Sequence, residues 1–293
     1  MPEVKTGLLC MAYGSPGDEA GIEAYFTHIR GGRAPSPEAL AKLVSRYQAI
    51  GGASPLAEIT RNQADALGRR LGLPAFVGFK HSEPFIGGGA REAAATGVER
   101  LVGVPLAPHY ARMSLGSYEA GLRQAWDGDL IFVPGFHDHP AFIAAVQLRL
   151  REALRDFTPE RLFFTAHSLP ARILAEGDMY QDQLLRSSEL AAADLDIPWE
   201  FAYQSASHTG EPWLGPDLLE SIERSGARSV LVCPIGFVAD HLEILYDLDV
   251  ETAGFCREHG VEFRRTEMFN DRPEFIEALA AVVQSALPEP SRT

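Results

Sequence analysis

Cysteine is scarce in this chain. Cys10, Cys233 and Cys256 are scattered, and no CxxC pair occurs. That pattern argues against a zinc ribbon or a disulfide framework and predicts buried, reduced thiols. No apolar run approaches the ~18 residues that a membrane-spanning helix needs. The opening MPEVKTGLLCMAYG lacks the apolar stretch and small-residue cleavage site of a signal peptide, so a cytoplasmic protein is expected. Positive charge is also short. Lys and Arg number 26 against 40 Asp and Glu, a net charge of −14. A nucleic-acid binder is normally basic, so that class loses weight, as does binding to anionic membranes. No GxSxG elbow supports a hydrolase reading of His167-Ser168. Gly87-Gly88-Gly89 lacks the GK[ST] ending of a phosphate loop.

Eight short apolar runs alternate with helical patterns. Four begin at Thr6, Ala75, Arg100 and Leu130, and four more at Arg161, Glu200, Ser229 and Val261. Such runs between helices read as buried parallel strands. The fold class expected is α/β, as two Rossmann-like halves, each a four-stranded parallel sheet flanked by helices. The division falls near residue 145, giving halves 1–145 and 146–271. Arg272-Pro273 opens a last helix to about Leu287, and the tail Pro288–Thr293 is expected to be loose. Ser54-Pro55 and Asp217-Leu-Leu-Glu220 read as helix starts.

In open parallel sheets ligands bind beyond the carboxyl ends of the strands. Those positions hold Tyr13-Gly14, Lys80-His81, Pro108-His109-Tyr110, His167-Ser168, Gln204-Ser205 and Gly236-Phe237. Glu243, Asp247 and Glu251 recur every four residues, so on one helix they would form an acidic stripe ~12 Å long. A solvated face is the ordinary use of such a stripe. Here it follows a glycine-bearing strand end, where a row of oxygen ligands could pass a divalent cation inward. His167 beside Glu243 would supply one imidazole and one carboxylate, suited to ferrous iron and to proton abstraction. In the first half, Arg30, Arg33, Arg46, Tyr47 and Ser54 are candidate grips for carboxylates. Arg112, Met113, Ser114 and Tyr118 could line the same cleft.

With these segments in view, the sequence resembles a ferrochelatase. The resemblance is carried by Ala12-Tyr-Gly-Ser-Pro16, Thr27-His-Ile-Arg30, Arg46-Tyr47 and Ile50-Gly-Gly-Ala-Ser-Pro55. It continues through Lys80-His-Ser-Glu-Pro-Phe85, Leu106-Ala-Pro-His-Tyr110 and Ala166-His-Ser-Leu-Pro170. It ends with Tyr203-Gln-Ser205, Glu211-Pro-Trp-Leu-Gly-Pro216 and Gly236-Phe-Val-Ala-Asp-His-Leu-Glu243. The motifs span about residues 7–285. The resemblance implies ferrous iron insertion into a porphyrin held between two halves, with the last helix packing back on the first. It implies His167 and Glu243 as the metal and proton-transfer pair, and Asp247 and Glu251 as a metal path.

The coproporphyrin branch is the nearer one, implying coproporphyrin III as the substrate and haem synthesis as the setting. It implies Tyr13 as an axial ligand of the product iron, and Arg30, Arg46, Tyr47, Ser54 and Tyr118 around the porphyrin. Arg112 stands where a small hydroxyl residue is common. Iron is a substrate here and no permanent cofactor is expected. No iron–sulfur cluster is expected either, since no cysteine follows Cys256. A monomer is expected, in transient contact with the next enzyme of haem synthesis. Competing readings are a protoporphyrin IX ferrochelatase, a chelatase putting cobalt into a sirohydrochlorin, and a haem or metal carrier.

Overall fold

The computed structural model describes residues 4–207 and 210–288. The first sheet contains β1 (Thr6–Ala12), β2 (Ala75–Phe79), β3 (Arg100–Pro105) and β4 (Asp129–Phe132). Their order is β2-β1-β3-β4, all parallel. The second contains β5 (Arg161–His167), β6 (Trp199–Gln204), β7 (Ser229–Cys233) and β8 (Glu262–Arg265), in the order β6-β5-β7-β8 and again parallel. The eight apolar runs are therefore the eight strands. Their continuity reflects burial on both faces: Leu8, Leu9, Cys10 and Met11 are all fully enclosed. β7 stops at Cys233, two residues short of its apolar run, because Pro234 has no N–H for the ladder.

Helix boundaries follow local chemistry. Asp217 caps the Leu218–Ser225 helix by accepting from the N–H groups of Leu219 and Glu220. The Leu56–Leu71 helix starts one residue later than expected, with Pro55 in the capping place and Ser54 Oγ accepting from Leu56 N–H. Gly87-Gly88-Gly89 lies within the Ile86–Ala95 helix. The three cysteines are free and buried.

The largest apolar cluster joins both sheets. Leu8 and Val102 belong to it, as do Phe142, Leu162, Phe164, Leu231, Phe275 and Leu279. Each such side chain contributes about 1.5–3 kcal/mol by burial, so the two halves share one stabilising core. The last helix, Pro273–Ala286, packs on both the Leu56–Leu71 and the Pro140–Ala153 helices. The 145/146 division falls inside Pro140–Ala153. Of the expected loose tail, 289–293 lie outside the described residues. Among the described residues, no helix is long and apolar enough to cross a membrane.

Both sheets reverse strand order at the same place. The switch lies between β1 and β3 in one and between β5 and β7 in the other. Tyr13 follows β1, and His167 ends β5. The loop after β7 leads to Glu243. The ligand-binding crevices expected of open parallel sheets thus hold the candidate residues.

Candidate active site

Two glycines allow the backbone to approach where the site forms. Gly14, at φ +96°, follows Tyr13, and an added Cβ would lie 2.5 Å from Ser82 Oγ. Gly236 crosses β5 so closely that a Cβ there would lie 2.4 Å from that of Ala166. The loop after β7 therefore passes directly beside the residue preceding His167.

His167 Nε2 lies 3.4 Å from Glu243 Oε1, and His241 Nε2 lies 3.4 Å from Glu243 Oε2. One carboxylate is held between two imidazoles. The backbone of each partner is fixed in turn. Tyr180 Oη donates to the His167 carbonyl at 3.0 Å, and His167 Nδ1 hydrogen-bonds the Ser168 carbonyl. His241 Nδ1 donates to the Ala239 carbonyl at 2.9 Å. Gln204 Nε2 donates to the Glu243 carbonyl at 2.9 Å while its Oε1 accepts from Thr165 Oγ1 at 2.8 Å. The side chains of His167 and Glu243 remain 29% and 30% exposed, so a ligand can reach them.

The electrostatics make this an ion pair. Burial disfavours a charged His167, but Glu243, the Ser168 carbonyl and Asp247 together carry its pKa up to about 9. Burial raises Glu243, and the two histidines outweigh it, holding the carboxyl well below its usual range. At neutral pH the ligand-free pair is imidazolium and carboxylate. His241 is also raised: burial opposes its charge, and Glu243 overcomes that.

The acidic segment is not one continuous α-helix as its spacing predicts. It comprises Leu242–Leu245, a π-helical turn over Asp247–Thr252, and Ala253–Glu258. Glu251 N–H donates five residues back to the Tyr246 carbonyl, and the Asp247 carbonyl takes the Thr252 hydroxyl instead. Asp247 is buried, and its carboxylate receives Arg46 and Ser205 Oγ. Those tertiary contacts accompany the wider turn. Burial lifts the Asp247 pKa, Arg46 opposes this, and Glu243 and Glu251 add to the rise, leaving it at about 6. Glu251 is exposed. The acidic row thus runs from an open Glu251 through a buried Asp247 to a half-open Glu243.

Tyr13 is 41% exposed and packs on the His81 ring, with centroids 4.5 Å apart, while Lys80 Nζ lies 5.8 Å from its centroid. Its phenol pKa is pushed up by burial and then by the charge of Glu243, so the first half's phenol shares the field of the second half's carboxylate. Behind it, the Nδ1 atoms of His81 and His28 are 3.0 Å apart. Burial, then Lys80 and His28, lower His81 to about 4.

The other expected residues divide into exposed and enclosed groups. Arg30 is exposed, with its guanidinium over Phe26 at 5.6 Å. Arg112 is exposed, and its backbone N–H donates to Asp178 at 2.8 Å. Ser54 is half-buried. Arg46 pairs with Asp247 and lies over the Tyr246 ring at 4.6 Å. Tyr47 and Tyr118 are buried, Tyr118 among Leu9, Met11 and Trp126. His109 is buried on Ser187 Oγ at 2.8 Å, a packing role. Sequence reasoning assigned no role to His241 or Gln204. The Asp240-His-Leu-Glu243 spacing was the available signal for His241. Among the described residues, no three His, Cys, Asp or Glu side chains converge as a metal cage.

The ferrochelatase family profile matches residues 5–287. A ferrochelatase of Herpetosiphon aurantiacus is 38% identical, over 95% of this chain and 98% of its own length. Coproporphyrin III ferrochelatases of Geobacillus sp. and Bacillus subtilis are 41% and 40% identical, over 97% and 98% of this chain and 98% and 99% of their own. Among solved structures, SirB from Bacillus subtilis with Fe3+ superposes at TM-score 0.61 and 12% identity, covering 96% of this chain and 95% of that one. CbiX, described as the terminal enzyme for siroheme biosynthesis in denitrifying bacteria, reaches 0.56 at 13%, covering 96% and 100%. These two show the fold alone, a chelatase-type pair of four-stranded parallel sheets. The chain belongs to the ferrochelatase family and is a porphyrin metal chelatase, a lyase.

Proposed function

We propose that this enzyme inserts ferrous iron into coproporphyrin III, giving Fe-coproporphyrin III and releasing two protons. The observation that carries the reading is the half-exposed His167–Glu243 pair, 3.4 Å apart at the carboxyl end of the second sheet, with the exposed Tyr13 at the corresponding end of the first. A flat macrocycle between them would meet a phenol on one side and the His167–Glu243 pair on the other. The names of the Geobacillus and Bacillus relatives support coproporphyrin over protoporphyrin IX.

In this reading Glu251 and Asp247 conduct the cation inward, and Glu243 receives it. The free His167 is protonated, so it is no base until its proton leaves. A dication arriving at Glu243 cancels the charge that holds that proton. His167 then releases its proton to water and becomes a neutral imidazole able to accept a pyrrole proton, which it passes to water in turn. Tyr13 stays a neutral phenol in the free enzyme, and in this reading it would approach the product iron. Arg30, Ser54 and Arg112 are accessible to propionates, with Tyr47 and Tyr118 backing the site. Arg46 would have to share or leave Asp247 to join them. The enzyme would act as a cytoplasmic monomer of two halves divided near 145, with no permanent cofactor.

The test is anaerobic addition of ferrous iron to the coproporphyrin-loaded protein, followed by absorbance. Catalytic conversion of the free-base spectrum is expected. Stoichiometric binding without conversion would point to a carrier instead.

A further inference from the structure

Between β8 and the last helix, Asn270 adopts φ +49°, a left-handed conformation that asparagine tolerates better than most residues. All its polar groups are engaged. Its N–H donates to the Val238 carbonyl at 3.0 Å. Its carbonyl accepts from Gln63 Nε2 at 2.7 Å. Oδ1 accepts from the Asp240 N–H at 2.8 Å, and Nδ2 donates to Asp240 Oδ2 at 2.7 Å. These partners fix the amide orientation, since the backbone N–H needs an acceptor and the carboxylate needs a donor.

The connections reach the chain on both sides of Glu243 and Asp247. Gln63 is fully buried on the Leu56–Leu71 helix of the first half. Asp240 Oδ1 accepts from Arg265 Nη2 at 3.2 Å. Arg265 donates onward to Asp249 through Nε at 2.6 Å and Nη2 at 2.8 Å. Asp240 and Asp249 bracket Glu243 and Asp247 in sequence. A polar cavity of about 330 Å³ lies alongside, lined by Asp240, Arg265, Glu267, Met268, Asn270 and Arg272.

The geometry points to Asn270 as a positioning residue for iron insertion, locking the Val238–Asp240 segment, and with it His241 and Glu243, to the helix of the opposite half. The inference rests on the assignment of Glu243 to the reacting centre. Misplacing a reacting group by about 1 Å can cost about 10²-fold in rate, so a distant brace can govern turnover without touching substrate.

The side-chain chemistry gives the inference a specific signature. Asn270→Gly keeps the left-handed backbone and removes the amide. Asn270→Asp puts a second carboxylate against Asp240, and only a shared proton restores a donor there. Arg265, Glu267 and Arg272 also face this group, and none of them changes in either variant.

The experiment measures kcat, porphyrin KM and melting temperature for the wild type, Asn270→Gly, Asn270→Asp and Glu243→Gln. Both Asn270 variants should lose about 10²-fold in kcat with KM little changed. Relative to wild type, the Asn270→Asp deficit should shrink between about pH 8 and about pH 6 while that of Asn270→Gly stays constant. Wild-type kcat in folded Asn270→Gly would overturn the inference, as would a pH-independent Asn270→Asp deficit that only follows melting temperature. If Asn270→Gly does not fold, the acid recovery of Asn270→Asp decides alone. Wild-type turnover in Glu243→Gln would remove the underlying assignment itself, a result separable from the other two.

Discussion

Arg46 of the first half closes an ion pair with Asp247 of the second, 201 residues further along the chain. Its guanidinium lies over the neighbouring Tyr246 ring, and its Nε is buried without a hydrogen-bond partner. The pair pins the N-terminal half to the middle of the acidic row. Asp247 nevertheless retains a raised pKa, because burial and Glu243 outweigh the arginine.

That balance has a consequence for stability. Asp247 titrates at about 6 in the folded protein against an ordinary 3.8. The folded state therefore binds this proton more tightly. The contribution is fully present below the unfolded value and is lost as pH rises through 6. Asp247→Asn removes this titration but also breaks the Arg46 pair, so the test is the pH dependence: the variant should gain melting temperature relative to the wild type as pH rises from about 5 to about 8. Thermal unfolding across that range checks it, and a difference that does not change with pH would contradict the electrostatic account.

His167 offers a direct spectroscopic check. Its imidazole should titrate near 9 by NMR in the ligand-free enzyme, against 6.5 for an ordinary histidine. In stability terms, that protonated ring contributes fully below 6.5, and the contribution disappears through 9. Glu243→Gln removes the charge that sustains it, so the pKa should fall toward or below 6.5, where burial then dominates. An unchanged value would mean that another group holds the proton.

Kinetics should separate the three carboxylates. Glu243→Gln should lower kcat by about 10²–10⁴-fold, the usual loss for a positioned acid–base group. His167→Ala should abolish insertion while leaving porphyrin affinity nearly intact. Asp247→Asn and Glu251→Gln should cost much less and show mainly as a raised KM for iron. Equal, mild effects at all three acids would restore the solvated-face explanation of the row.

The strands were legible because doubly covered parallel strands read as uninterrupted apolar runs, as Leu8–Met11 and Leu162–Phe164 do. The pairing of His167 with Glu243 was legible because His167 ends β5 and Glu243 lies on the segment after β7, the two strands that flank a switch point. The π turn at Asp247 was not. It accompanies contacts from Arg46 and Ser205, which no local periodicity encodes. His241 escaped notice because its link to Glu243 depends on the extended backbone at position 241, φ −160°, which brings both side chains together two residues apart. Tyr47 and Tyr118 were expected around the porphyrin from their neighbours in sequence, and burial of both rings is a tertiary feature that this local pattern does not encode.

Substrate choice tests the account most directly. Coproporphyrin III carries four propionates and protoporphyrin IX two. A charge-assisted contact that becomes desolvated on binding contributes about 1.5–3 kcal/mol, so Arg30 and Arg112, joined by Arg46 if it leaves Asp247, would favour the substrate with more carboxylates. The measurement is kcat/KM for both porphyrins under anaerobic ferrous iron, in the wild type and in the Arg30→Ala/Arg46→Ala double variant. The account predicts a clear wild-type preference for coproporphyrin III that collapses in the double variant. A preference for protoporphyrin IX, or coproporphyrin turnover indifferent to losing both arginines, would contradict it.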